Sequence, residues 1–171
     1  IEIAKKGSKT IEEKRKTVLD LLPKVKTKLF PIGRLDYDTE GLLLFTNDGQ
    51  MAHRISHPSF LIQKTYLAHL KGNISKTFFE KMKKGANLSD GFLLPEKLDL
   101  LSSNADESLI KMEIHEGRNH IVKNFFKYFG RDVAKLKRIS VGPIKLGELE
   151  SGKIIKLDYN ELEELKSIVF K

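Results

Sequence analysis

Cysteine is missing altogether from the 171 residues. That absence excludes a disulfide scaffold, a thiol nucleophile and any cysteine-based zinc or iron–sulfur centre. Long apolar runs are missing too. No stretch approaches the roughly 18 consecutive apolar residues that span a bilayer as a helix, and no secretory signal peptide is expected. A reducing cytoplasm is the compartment these absences fit. Methionine does not stand first; Ile1 does, so a fragment or a processed product is expected. Acids are the scarcer charge, 23 Asp and Glu against 31 Lys and Arg, for a net +8. That excess bears on partners rather than fold, and a polyanion is the expected partner, RNA or DNA ahead of anionic lipid.

What is present suffices for a core. Hydrophobic residues make up 40% of the chain, with ten Phe, and a chain this long buries roughly two-thirds of its unfolded surface. The positive charge is clustered. Lys5 to Lys28 holds nine bases against Glu12, Glu13 and Asp20; Arg118 to Arg138 holds seven against Asp132 alone. The first run reads equally well as a solvated face. The second lies on amphipathic sequence.

Three segments have readable periodicity. Ser75 to Gly85 has the form of a complete short helix: Ser75 as its cap, Ile74 stapled to Phe79, Phe78, Phe79 and Met82 on one face, and Gly85 as the stop. Residues 109–116 alternate as a half-buried strand, with Ile110, Met112 and Ile114 inward. His120 to Phe129 reads as a second helix with Ile121, Val122, Phe125, Phe126 and Phe129 inward and Lys123 and Lys127 on another side. Shorter apolar runs at 42–46, 66–70, 92–94, 98–101, 139–144 and 154–157 suggest further strands. The mixture predicts one α+β domain around a mostly antiparallel sheet, without repeats or a low-complexity linker.

Residues 33–49 differ from the rest: Gly33 and Gly41 bracket a loop holding Arg34, Asp36, Asp38, Thr39 and Glu40, followed by an apolar run and the turn signal Asn47-Asp48-Gly49. From residue type alone, Asp36 reads as a turn former. By the same standard Tyr66 is a strand tyrosine of the core, Leu136 is core, and Lys123 is a solvated helix lysine. Asp36, Asp38 and Asp48 have the look of a magnesium set, yet turn chemistry accounts for all three. His53 and His57, four apart, have no third ligand and read as structural, and His69 and His115 as plain strand residues.

The run Gly33-Arg34-Leu35-Asp36-Tyr-Asp-Thr39-Glu-Gly41-Leu-Leu-Leu-Phe45-Thr46 resembles the signature of the ribosomal-RNA pseudouridine synthases of the small- and large-subunit uridine type. Three further stretches resemble that family's motifs in the same order: Lys64-Thr65-Tyr66, Glu116-Gly117-Arg118-Asn119-His120-Ile121-Val122-Lys123, and Val133 to Gly142. The resemblance extends from about Lys16 to Leu165.

The resemblance implies the pseudouridine synthase fold and an isomerase that breaks the N-glycosidic bond of one uridine in ribosomal RNA and rejoins the base through C5. It implies no cofactor and no metal. Asp36 would be the catalytic aspartate, Tyr66 would stack on the uracil, Lys123 would be the basic partner of Asp36, and Leu136 would pack beneath the base. Lys123 stands where most relatives have Arg, so a planar clamp becomes a point charge. Arg34 would fill the space the base vacates or hold a phosphate, and Arg118, His120, Lys127 and Arg138 are candidate RNA contacts. Large-subunit RNA is favoured by the Glu116–Asn119 and Lys135–Arg138 stretches, with small-subunit RNA the alternative. Residues 16–171 would be the catalytic domain of a monomer. Residues 1–15 would be a basic leader or remnant standing where relatives carry a small RNA-binding domain. The competing classes are a non-catalytic rRNA-binding module, which would not turn over, and a magnesium-dependent nuclease, which would cleave.

Overall fold

The computed structural model describes residues 18–22 and 27–171; the leader expected over 1–15 and most of the first basic run lie outside them. In chain order the elements are β1 (Phe30–Pro31), β2 (Thr39–Gly41), β3 (Phe45–Thr46), α1 (Gly49–Ser56), β4 (Lys64–Lys71), α2 (Lys76–Met82), β5 (Ala86–Leu88), β6 (Gly91–Leu93), β7 (Lys97–Ser103), β8 (Glu107–Ile114), α3 (Ile121–Tyr128), β9 (Val133–Val141), β10 (Ile144–Lys145) and α4 (Tyr159–Val169). The main sheet runs β10-β9-β4-β8-β7, antiparallel throughout, and β2 adds to β9 in parallel. This is the α+β architecture with a mostly antiparallel sheet that the sequence leads one to expect.

Alternation explains the sheet. In β4 every second residue is buried (Lys64, Tyr66, Ala68, Leu70), and in β8 so are Ser108, Ile110, Met112 and Ile114. With Tyr66 opposite Met112 and Ala68 opposite Ile110, those residues form one continuous face. α3 lays Phe125 and Phe126 in the core against this face, joined by Met82 of α2. The predicted cap of α2 is present: the Ser75 hydroxyl accepts from the Phe78 N–H at 3.2 Å. Gly85, at φ +86, ends the turn beyond it, where an added Cβ would stand 2.6 Å from the Leu93 carbonyl oxygen.

A second core gathers Ile32, Leu42, Leu44, Met51, Ile55, Val141, Ile144, Leu165 and Val169. Here the expected elements need correction. The apolar run 42–46 is not one strand. The Leu42 N–H donates to the Arg138 carbonyl at 2.8 Å, and Ile32 then donates to Leu44, so the run leaves β9 and pairs with β1 only at Phe45 and Thr46. Residues 139–144 take in the end of β9, a turn and the start of β10, and 154–157 form no strand, leaving Ile155 exposed. Two helices were not anticipated. Asp48, read as part of a turn, caps α1 by accepting from the Gln50 and Met51 N–H groups. Asp158 and Glu161 form a reciprocal capping box that starts α4 in the acid-rich tail. Among the described residues no helix is long and apolar enough to cross a membrane.

Candidate active site

A pocket of about 290 Å³ opens at the seam between the two cores, with Ile32, Ile55 and Val141 from one and Tyr66, Ile121 and Leu136 from the other in its walls. Strand register explains how distant residues meet. Across β2, β9 and β4, Thr39 pairs with Leu136 and Leu136 with Ala68; two residues along, Gly41 pairs with Arg138 and Arg138 with Tyr66. Side chains opposite one another share a face. Leu136 (3% exposed) and Tyr66 (8%) therefore form adjoining parts of the wall.

Asp36 sits on the loop leading into β2. Its carbonyl accepts from the Thr39 N–H at 2.9 Å, a turn of the kind its residue type favours. The turn leaves its carboxylate in the pocket lining. Two nitrogen-bearing side chains reach it from the start of α3. His120 Nδ1 lies 3.1 Å from Asp36 Oδ2, and Lys123 Nζ lies 3.8 Å from the same oxygen. The shorter contact of Lys123 is with Asp38. That hydrogen bond, aided by one from the backbone, holds the Asp38 carboxyl below its usual range. Lys123, expected as the basic partner of Asp36, thus bridges two carboxylates and stands outside the pocket lining.

The part played by His120 was not legible beforehand. It caps α3 with φ +51 and no side-chain hydrogen bond to the helix. Left-handed backbone at a non-glycine residue costs about 1 kcal/mol or more and collects at functional sites. Here it directs the imidazole to Asp36 instead of to the helix N–H groups.

Two expected RNA contacts have their guanidinium groups engaged within the protein. Arg138, 4% exposed, donates from Nε to the Leu42 carbonyl at 2.8 Å and from Nη1 to the Arg34 carbonyl at 3.4 Å, which ties both ends of the Asp36 loop to β9. Arg118 grips Glu116 with Nε and Nη2, and reaches Asp90 and the Gly91 and Phe92 carbonyls, stitching the β8–α3 connection to the β5–β6 hairpin. Arg118→Ala is expected to cost about 3 kcal/mol, because it strands a partly buried Glu116. The measurement is a urea titration, with a lowered midpoint at unchanged slope; an unmoved midpoint would return Arg118 to the RNA-facing surface. Lys127 is exposed on α3 one turn beyond Lys123, and Arg34 is an exposed residue of the pocket lining.

Two polar groups in the lining lack full partners. Thr39 Oγ1 is buried without a hydrogen bond. Lys64, 7% exposed, reaches only the Ile62 and His115 carbonyls, at 3.3 and 3.5 Å. Elsewhere His57 Nδ1 accepts from the Ser59 N–H, so it serves its own turn, and His115, taken as a plain strand residue, pairs with Glu96 at 2.6 Å. Among the described residues no three His, Asp or Glu side chains gather as a metal site.

Comparison with known proteins gives consistent matches. Residues 2–128 match the model of the RNA pseudouridylate synthase family. An uncharacterised RNA pseudouridine synthase of Aquifex aeolicus is 44% identical over 88% of this chain and 61% of its own length. Ribosomal large subunit pseudouridine synthase B of Bacillus subtilis is 40% identical over 90% of this chain and 64% of its own. This chain thus spans a little under two-thirds of either relative. A crystal structure of a pseudouridylate synthase superposes with a TM-score of 0.79 at 35% identity, covering 87% of this chain and 65% of the other.

Proposed function

The chain belongs to the RNA pseudouridylate synthase family, and from that premise we propose that it converts one uridine of ribosomal RNA, in the large subunit, to pseudouridine, with residues 16–171 as the catalytic domain. The observation that carries the reading is the grouping in one pocket of Asp36, Tyr66 and Leu136. A carboxylate beside a lysine, a histidine and an aromatic side chain, at a seam between two apolar cores, is what glycosidic isomerisation requires and what simple RNA binding does not.

The chemistry assigned to each residue follows from its position. A uracil inside RNA structure is out of reach, so the target is flipped into the pocket at a cost of a few kcal/mol. Tyr66 offset part of that cost by stacking, worth about 1–3 kcal/mol. Leu136 packs beneath the base. Asp36 supplies the carboxylate that acts on the sugar or the base, with His120 and Lys123 as its neighbours. Arg34, at the exposed edge of the lining, holds a phosphate or fills the space the base leaves. The large-subunit assignment draws its support from the Bacillus relative, whose name carries that specificity.

The test is incubation of the chain with small- and large-subunit ribosomal RNA transcripts, followed by chemical labelling of pseudouridine. One labelled position, in the large-subunit RNA, is the expected outcome. Labelling in small-subunit RNA would overturn the substrate assignment, and retained RNA binding without any product would favour a binding module. Both activity and binding should weaken steeply with salt, as for any protein that neutralises phosphates.

A further inference from the structure

Lys64 has no role in the chemistry described so far, yet it is a buried charge of the pocket with no anionic partner among the described residues. It opens β4 on the same face as Tyr66, and β4 places it between Ile114 of β8 and Val141 of β9, both apolar. Three ammonium N–H groups face two carbonyl oxygens at the outer limit of hydrogen bonding. The ion pairs of the site belong to Asp36 and Asp38, and among the described residues none includes Lys64. Its charged neighbour is another cation, Arg138. Burial, and then the Arg138 charge, pull the Lys64 ammonium down to about 8, so it remains protonated at neutral pH while costing the folded state stability.

A group that only filled this space would do better as methionine, which has similar length and no charge to desolvate. The charge therefore needs a partner that arrives with the substrate. We propose that Lys64 is a further catalytic residue, whose ammonium group holds the negative charge that uracil acquires when its glycosidic bond breaks. This rests on the isomerase reading above. Whether Asp36 attacks the sugar, attacks the base or removes a ribose proton, the electron pair of the C1′–N1 bond departs with the base. The charge spreads over N1, O2 and O4. An N–H of Lys64 donates to a carbonyl oxygen of the detached ring. When C5 bonds to C1′, the proton lost from C5 is balanced by one gained at N1, the ring is neutral again, and Lys64 is an ammonium as before. A donor aimed at charge that exists only during reaction accelerates the chemical step without tightening ground-state binding. The orphaned Thr39 hydroxyl is a second polar group left for the same ligand to satisfy.

The experiment compares Lys64→Met and Lys64→Arg with the unmutated chain on the RNA that chain modifies, reading kcat, KM, melting temperature and the pH profile of kcat/KM. Lys64→Met is expected to lose about 10²–10³-fold in kcat with KM within a few-fold, and to melt at the same temperature or higher. The unmutated profile should fall above pH about 8, as the free enzyme loses the Lys64 proton. Lys64→Arg keeps its charge past that point, so its profile should lack this limb, and it carries the test if the methionine variant fails to fold. Lys64→Met with kcat within threefold of normal, a melting temperature that falls in step with kcat, or a limb near 8 persisting in the variants would overturn the proposal. An unmutated chain that makes no pseudouridine would overturn the parent reading and this inference together, whereas an active chain indifferent to Lys64→Met overturns this inference alone.

Discussion

Asp36→Asn is expected to reduce pseudouridine formation by about 10³-fold or more while leaving RNA binding and thermal stability nearly unchanged. The amide has the carboxylate's shape and can still meet His120 Nδ1, now 3.1 Å from Asp36 Oδ2. It has neither the charge nor the basicity to attack a sugar or base or to take a proton. Asp36 is partly exposed, so its replacement leaves no buried charge stranded. The control is Asp38→Asn, two residues on. Asp38 is the more exposed carboxylate and Lys123's nearer partner; losing it should move the rate only a few-fold, because Lys123 remains beside Asp36. A residual rate in Asp36→Asn above a tenth of normal, or equal losses in the two variants, would remove Asp36 from the centre of the chemistry.

Gly41→Ala should be the most damaging single methyl in the site region, costing about 3 kcal/mol or more. Gly41 has φ +114, and a Cβ there would lie 2.1 Å from the Arg138 carbonyl oxygen and 2.6 Å from its nitrogen. Neither neighbour can yield cheaply, because both are backbone atoms of the paired strand β9. Relief would require β2 to separate from β9, carrying away the Leu42 carbonyl that Arg138 Nε binds and with it the loop of Asp36. The change should therefore lower the melting temperature by roughly 6–12 °C and depress activity in whatever remains folded. Gly33→Ala is the comparison that isolates the cause. Gly33 also has positive φ, +72, but nothing lies within 4 Å of an added Cβ, so only the backbone preference is lost, about 1 kcal/mol. Equal melting temperatures for the two variants would mean that the close approach to β9 is not what Gly41 provides.

Some elements were legible because local chemistry and tertiary burial agree on them. The cap of α2 needs only Ser75 and the N–H three residues on, and the alternation of β8 records which face meets the core. Where one residue type serves two local purposes, the reading went the wrong way. Asp48 suits a turn and a helix cap equally, and α1 was missed for that reason. The box of Asp158 and Glu161 is visible as letters three apart, but letters at that spacing start a helix only where the following face finds a core to bury against. The run 42–46 looked like one strand because apolar composition does not say which neighbour each backbone group will bond.

The candidate site divides in the same way. By itself the sequence determined which residues are candidates for the chemistry: a carboxylate in a glycine-bracketed loop, a tyrosine and leucine on strands, basic residues on a helix, all within stretches that resemble motifs of one family. Tertiary structure alone decided what each charge is spent on. Arg138 and Leu42 are 96 positions apart and Lys123 and Asp38 are 85 apart, and pairings at such separations are created by sheet register and helix docking. Residue type is a property of the chain, whereas desolvation and partnership are properties of the place the fold assigns. For that reason Arg118 and Arg138, indistinguishable in sequence from RNA-facing bases, hold the scaffold together. Lys64, a single letter before Thr65 and Tyr66, is left buried with charge unspent.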